Sequence, residues 1–406
     1  MSLYTEITKL PRDPIIGLTE LFKNDKRSTK YNLGVGVYLD ENGNVPVLEC
    51  VTKAAQLLYE KKDPCVYLPM VGFDSFCEAT KKLLFGSEHS SNANIMTSQA
   101  LGGTGALRLG AELLQRTKKV PLVVISEPSW ENHRNIFESV GFKVNTYPYY
   151  DPNTNCFLFE QFLTFLKKLP KYAVVILHAN CHNPTGVDPS EEEWEVILDT
   201  IRKFDLIPFF DLAYLGFKKN LKEDTFVLRT YIKFEKPFLV ANSFSKNFSL
   251  YGERVGALSI FSCSQEESAK IQSHLKNIIR SLYSTPPTYG QKIVEQVLSN
   301  EKLYAMWQSE VQLMRSRITG MRKQLVKAFE EENLTSFSFI KDQHGMFSYS
   351  GLGINHAAQL RERFGIYILD SGRICIAALN KNNLKYVANA ISTVINKKNI
   401  QAKSFL

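Results

Sequence analysis

The 406-residue chain has no apolar run of the ~18 residues a membrane span needs, and its first residues hold Glu6, Pro11, Asp13 and Pro14 rather than a hydrophobic signal core. A membrane-spanning or secreted protein is therefore not expected, and the chain reads as cytoplasmic. Cysteine is sparse: seven residues, an odd number, are scattered from Cys50 to Cys375 without a C-x-x-C pair. That pattern argues against a disulfide framework or a zinc ribbon and favours a reducing compartment. There is no internal repeat, low-complexity segment or long Gly/Ser linker, and neither a G-x-G-x-x-G fingerprint nor a Walker lysine. Charge of one sign is never concentrated, since 49 basic and 41 acidic side chains leave a spread surplus of +8. Local runs such as Lys23 to Lys30 and Lys397, Lys398 read as solvated loop and tail. Without a denser basic stripe interleaved with aromatics, nucleic acid is not an expected partner.

What is present is ordinary for a soluble globular protein, with 44% hydrophobic and 22% charged residues. The length exceeds the roughly 250–300 residues at which one core stops growing, so two domains are expected. From about Leu122 to Ile260, short β-branched runs alternate with longer amphipathic stretches. The runs are Leu122–Ser126, Ala173–His178, Leu206–Asp211 and Phe238–Asn242. Such alternation predicts βαβ units and a mostly parallel sheet buried on both faces, the centre of an α/β large domain. Ligands of open α/β sheets bind beyond the carboxyl ends of the strands, so the segments that follow these runs should carry the chemistry. Residues 303–332 have helical spacing. After them, strand-like segments near 336–350 and 373–378 and a helical stretch near 383–396 predict a smaller α+β domain.

Four segments stand out. Gly102-Gly103-Thr104-Gly105 opens an amphipathic helix, and such a turn offers backbone N–H groups and a positive dipole end to a phosphate. A plain helix-entry turn has the same appearance. Asn242-Ser243-Phe244-Ser245-Lys246 follows an apolar strand and precedes Arg254, which together could hold one phosphate and supply one covalent amine. Asp211-Leu212-Ala213-Tyr214 closes another strand. Alone, Asp211 reads as a helix N-cap; beside a lysine-bound cofactor, a carboxylate there would hold a ring nitrogen protonated. His178-Ala-Asn-Cys-His-Asn183-Pro-Thr-Gly186 resembles a metal cluster in composition, but no second cluster completes it at zinc-site spacing, and no metal is expected.

Taken together, SFSKNF with YGERVG, HNPTG, the strand-end D-x-A-Y, GGTGALR, EPSW, SGR and LGVGVY resemble the fold-type I aminotransferases, specifically the aspartate aminotransferase subgroup. These motifs cover nearly the whole chain. The resemblance implies a three-layer α/β/α large domain over residues 46–310 and a small domain from 15–45 and 311–406. It also implies an N-terminal arm, residues 1–14, reaching over a partner subunit of a homodimer. The implied cofactor is pyridoxal 5′-phosphate, held by Lys246 as a Schiff base, with Lys246 then moving the α-proton.

By the same resemblance, Asp211 pairs with the ring nitrogen, Tyr214 and Asn183 bond the ring oxygen, and Trp130 stacks on the ring. Gly103, Thr104, Ser243, Ser245 and Arg254 hold the phosphate, with Tyr67 reaching it across the dimer. Arg373 clamps the α-carboxylate beside Gly36. Arg280, from the neighbouring subunit, clamps the distal carboxylate. The implied reaction is ping-pong transamination between L-aspartate and 2-oxoglutarate, giving oxaloacetate and L-glutamate. An aminotransferase of broader specificity that also accepts aromatic amino acids is the alternative. Other pyridoxal-phosphate chemistry would use the same lysine without needing Arg280, a dehydrogenase would need a dinucleotide fingerprint, and a non-catalytic descendant would be expected to lose Lys246 or Asp211. Ser249, Leu215 and Ser281 depart from the family pattern, which often has glycine, glutamine and proline there.

Overall fold

A computed structural model describes residues 3–10, 13–64 and 66–403, without the side chains of 397–403. Cys65 and residues 1, 2, 11 and 12 of the expected arm lie outside the described residues. The chain divides into two compact units, Met1–Asn44 with Gly320–Lys341 and Met346–Leu406, and Val45–Thr319 with Asp342–Gly345.

The larger unit is built on a seven-stranded sheet. Its strands are β1 (Ile95–Leu101), β2 (Val123–Glu127), β3 (Val144–Pro148), β4 (Val174–His178), β5 (Ile207–Leu212), β6 (Phe238–Ser243) and β7 (Val255–Phe261), in the spatial order β1-β7-β6-β5-β4-β2-β3. β7 runs antiparallel to both neighbours and every other pairing is parallel. The strands anticipated from the four β-branched runs are present to within a residue at each end. β4 is buried at every position and β5 at all but its first, which is why these strands read as continuous apolar runs and not as alternation.

Helices cover the sheet, and their limits follow from local chemistry. The helix Glu191–Lys203 begins with a reciprocal capping box, in which Ser190 Oγ accepts from Glu193 N and Glu193 accepts from Ser190 N. Three glutamates in its first turn and Arg202 with Lys203 in its last suit the helix dipole. The helix Gly102–Thr117 starts directly at the end of β1 and buries Ala106, Leu109, Gly110 and Leu113. Leu109, Leu113, Phe137, Phe209 and Leu258 belong to one core.

In the smaller unit, Asp13 caps the helix Pro14–Asn24 by accepting from Ile15 N and Ile16 N. Tyr31–Asn32 pairs in parallel with Ile366–Tyr367, and Phe347–Tyr349 pairs antiparallel with Arg373–Cys375. Two expectations need correction. The segment Thr335–Asp342 is 3-10 helical rather than strand-like: Phe337 and Ile340, three residues apart, are the buried pair, and three residues is the period of that helix. Lys397 and Lys398 fall in the helix Leu384–Lys403 instead of a loop or tail.

Gly256 marks the closest backbone approach at the strand ends. A Cβ there would lie 2.6 Å from both the Asn242 carbonyl oxygen and the Gly102 carbonyl carbon. Backbone on both sides cannot give way as a flexible side chain would. Gly256→Ala should therefore cost about 3 kcal/mol and lower Tm by several degrees in a thermal melt; an unchanged Tm would show that β7 can shift.

Candidate active site

At the carboxyl ends of β4, β5 and β6 the chain places three polar groups side by side. His178 and Asp211 are paired residues of adjacent strands, and Asp211 in turn pairs with Ala241 of β6, two residues before Ser243. Asp211 is therefore a strand residue and not a helix N-cap. Its carboxylate is buried and accepts a hydrogen bond from His133 Nε2 at 2.9 Å. His133 Nδ1 lies 2.9 Å from Ser129 Oγ, so the far side of the ring is fixed as well. Burial works against a charge on Asp211, but the hydrogen bond from His133 and the proximity of His133, His178 and Lys246 outweigh it and hold the carboxyl below its ordinary range.

His133 was not anticipated from the sequence. It follows Trp130 by three residues at the start of the helix Glu131–Glu138, and its ring centroid lies 5.2 Å from that of Trp130. The one available signal was a histidine in the first helical turn after EPSW. His133, His178 and Asp211 bring their ligand atoms within 4.8 Å of one another, and two of the three are already joined by the hydrogen bond. His182 is engaged at both ring nitrogens, by Ser126 Oγ and Thr185 Oγ1 at 2.8 Å each, and stacks on Tyr149.

Lys246 lies just beyond β6, half-buried, with Nζ 5.2 Å from the centre of the Tyr214 ring. Asn183 Nδ2 donates to the Tyr214 hydroxyl at 3.4 Å. Beside them, Ser243 Oγ donates to Ser245 Oγ at 3.1 Å, and Arg254 Nη1 reaches Ser245 Oγ at 3.4 Å. Arg254 Nη2 also reaches the Leu101 carbonyl, immediately before the helix that opens at Gly102. Thr104 lies in the first turn of that helix. A Cβ on Gly102 would sit 2.7 Å from Arg254 Nη2, and one on Gly103 would sit 3.3 Å from Ser243 Cβ. Two hydroxyls, a guanidinium and the opening turn of a helix thus come together against bare glycine backbone, a donor set that fits a phosphate. Ser249 takes φ +56°, a left-handed conformation that glycine adopts without the steric cost of a side chain.

The remaining predicted residues lie elsewhere. Tyr67 is 90% exposed, and Arg280 is exposed, donating to Ser284 Oγ of its own chain. Gly36 and Arg373 belong to the smaller unit. There Arg373 is buried, donates from Nη2 to the Gly34 carbonyl at 2.7 Å and places its guanidinium 4.1 Å over the Phe347 ring, against which Gly36 also packs.

Hydroxyls, a guanidinium, a lysine and a buried carboxylate near the strand ends are groups that fit pyridoxal phosphate. The comparisons with known proteins give the family. The family described as aminotransferase class I and II matches residues 28–391. An aspartate aminotransferase of Pseudomonas aeruginosa is 46% identical, over 97% of this chain and all of its own length. An aromatic-amino-acid aminotransferase of Escherichia coli is 42% identical with the same coverage. Among solved structures, an aromatic-amino-acid aminotransferase of Burkholderia pseudomallei, covalently bound to pyridoxal phosphate, superposes with a TM-score of 0.93 at 46% identity, over 97% of this chain and 100% of that one. The chain belongs to the class I and II aminotransferases. It is a pyridoxal-phosphate-dependent aminotransferase with the fold-type I architecture of its structural neighbours.

The buried imidazoles make the site sensitive to acid. Burial, reinforced by the neighbouring His133, pushes His178 down from 6.5 to about 4. The unfolded chain binds this proton first, so the stability supplied by neutral His178 is complete above 6.5 and is lost as pH falls through that window. The loss is roughly 3 kcal/mol by pH 4. Urea unfolding between pH 7 and 4 should decline more steeply for the wild type than for His178→Gln, and equal slopes would contradict this.

Proposed function

We propose that this chain is an aspartate aminotransferase, moving the amino group of L-aspartate to 2-oxoglutarate in a ping-pong reaction that yields oxaloacetate and L-glutamate. The observation that carries the reading is that Lys246, with Nζ 5.2 Å from the Tyr214 ring and close enough to bear on the buried Asp211, directly follows Ser245, which Arg254 reaches. Bound pyridoxal phosphate supplies an aldehyde to take the amino group and a protonated ring to draw electrons from the substrate α-carbon.

Lys246 attaches the cofactor and, once displaced by substrate, carries the α-proton as a free amine. Asp211, kept anionic by His133, holds the proton on the ring nitrogen. Tyr214 and Asn183 bond the ring oxygen, Trp130 covers the ring face, and Gly103, Thr104, Ser243, Ser245 and Arg254 bind the phosphate. Arg373 receives the α-carboxylate as a bidentate pair, with Gly36 beside the substrate. Its packing on Phe347 and Gly34 leaves the guanidinium little freedom.

The working form is a homodimer. The exposure of Tyr67 and Arg280 supports this, because neither has an evident role on the surface of a single chain. Tyr67 of the partner subunit reaches the phosphate, and the partner subunit's Arg280 binds the distal carboxylate. The unit holding Lys246 is the cofactor domain, the other unit is the small domain, and the first fourteen residues form an arm over the partner. Among the described residues no cysteine takes part in a disulfide, which suits a cytoplasmic location.

Lys246→Ala should still bind pyridoxal phosphate yet lose at least ~10,000-fold in kcat, since attachment and proton transfer both fail. Near-normal steady-state turnover would overturn the assignment.

Arg280→Ala should lower kcat/KM for aspartate on the order of 100-fold while leaving alanine little changed, because a desolvated carboxylate loses its partner. Substrate choice and assembly can be tested together by denaturing and remixing Lys246→Ala with Arg280→Ala chains. About half of randomly paired dimers are hybrids with one intact site, so about a quarter of wild-type aspartate activity should return. No recovery would place Arg280 at its own chain's site.

A further inference from the structure

Two buried aspartates outside the cofactor cluster converge on the loops that carry Asn183 and Tyr214. Asp188 accepts from Cys181 N and His182 N at 2.9 Å each. Asp224 accepts from Gly216 N at 2.8 Å, Lys218 N at 3.1 Å, Lys219 N at 2.8 Å and Asn180 Nδ2 at 2.9 Å. The same Asn180 amide donates to the Tyr214 carbonyl at 3.2 Å. Lys218 joins the two carboxylates, its backbone N–H bound to Asp224 and its Nζ 3.1 Å from Asp188 Oδ2.

This arrangement is costly in stability alone. The side chains of Asp188 and Lys218 are 1% and 18% exposed, and Asp224 is 3% exposed. An ion pair removed that far from water gains little over apolar packing, so its physical advantage is geometric, with each loop tied by several directed bonds. The loop bearing Asn183 is tied to Asp188 and the loop bearing Tyr214 to Asp224. The two loops meet at the bond from Asn183 Nδ2 to the Tyr214 hydroxyl.

We propose that Asp188, Lys218 and Asp224 act as positioning residues, forming a clasp that sets the Asn183–Tyr214 contact and thereby the place of the Tyr214 hydroxyl at the cofactor. The inference rests on the role given to Tyr214 under Proposed function. A hydroxyl donating to the ring oxygen draws negative charge from it and makes the neighbouring lysine linkage easier to deprotonate. Weakening that bond therefore raises the pH midpoint of the bound cofactor's absorbance change. The titratable and charged groups around the contact, Asp211, His133, His178, Lys246 and Arg254, are the same in all the variants below.

The test uses the holoenzyme reconstituted with pyridoxal phosphate, without substrate, and records absorbance against pH alongside a thermal melt. Tyr214→Phe should raise the midpoint by about one pH unit or more. Lys218→Met should raise it by a measurable part of that shift, and Lys218→Arg should restore it. Asp224→Asn, in which an amide NH2 would face backbone N–H donors, should move it the same way and serves if Lys218→Met does not fold. A lower Tm with an unmoved midpoint in Lys218→Met and Asp224→Asn, while Tyr214→Phe shifts, would mark a merely structural ion pair and overturn the clasp. An unmoved midpoint in Tyr214→Phe itself would overturn the role of Tyr214 and the clasp with it.

Discussion

A carboxylate shielded from water keeps its charge only if something close by compensates for the lost hydration. At Asp211 the largest part of the compensation is the hydrogen bond from His133 at 2.9 Å. Much of the site is arranged around that bond. Ser129 fixes the other nitrogen of His133, which orients the first turn of the helix Glu131–Glu138 and sets Trp130 edge-on to the same ring. His178, paired with Asp211 across the strands, is pushed down by burial and is neutral near pH 7. A ring nitrogen presented to Asp211 would meet an anion that is already formed and oriented.

The second constraint is steric. The strand ends and the helix beginning at Gly102 come so close that backbone meets backbone at Gly256, and the Arg254 guanidinium lies where a Gly102 side chain would be. Helical N–H groups, hydroxyls and a guanidinium can converge on one oxyanion only at such distances. Gly102, Gly103 and Gly256 thus serve a close approach of backbone and side chain, which connects two motifs more than 140 positions apart in the chain.

Much of this was legible in the sequence, for physical reasons. Doubly buried strands leave runs such as Val174–His178 that cannot be mistaken for exposed alternation, and the groups that hold cofactor and phosphate come in short local motifs. His133 was not legible because its role depends on a fold contact 78 residues away. The ties of Asp188 and Asp224 were hidden for a related reason: their partners are mostly backbone N–H groups, which carry no residue identity. The start of the segment near 336–350 read as strand-like because only the tertiary structure reveals that its buried pair, Phe337 and Ile340, has the period of a 3-10 helix.

The smaller unit is closed by residues far apart in the chain. Tyr31–Asn32 finds its parallel partner at Ile366–Tyr367, and Arg373 donates to the Gly34 carbonyl across 339 positions. During synthesis at the ribosome, Tyr31–Asn32 and Gly34 therefore wait for these partners until residues 366–373 have emerged. The strands of the sheet, by contrast, are all made between Ile95 and Phe261. Domains that can fold do so as they appear, so the lysine-bearing half can organise first, and the buried arginine of the smaller unit comes into place among the last steps of the protein's birth.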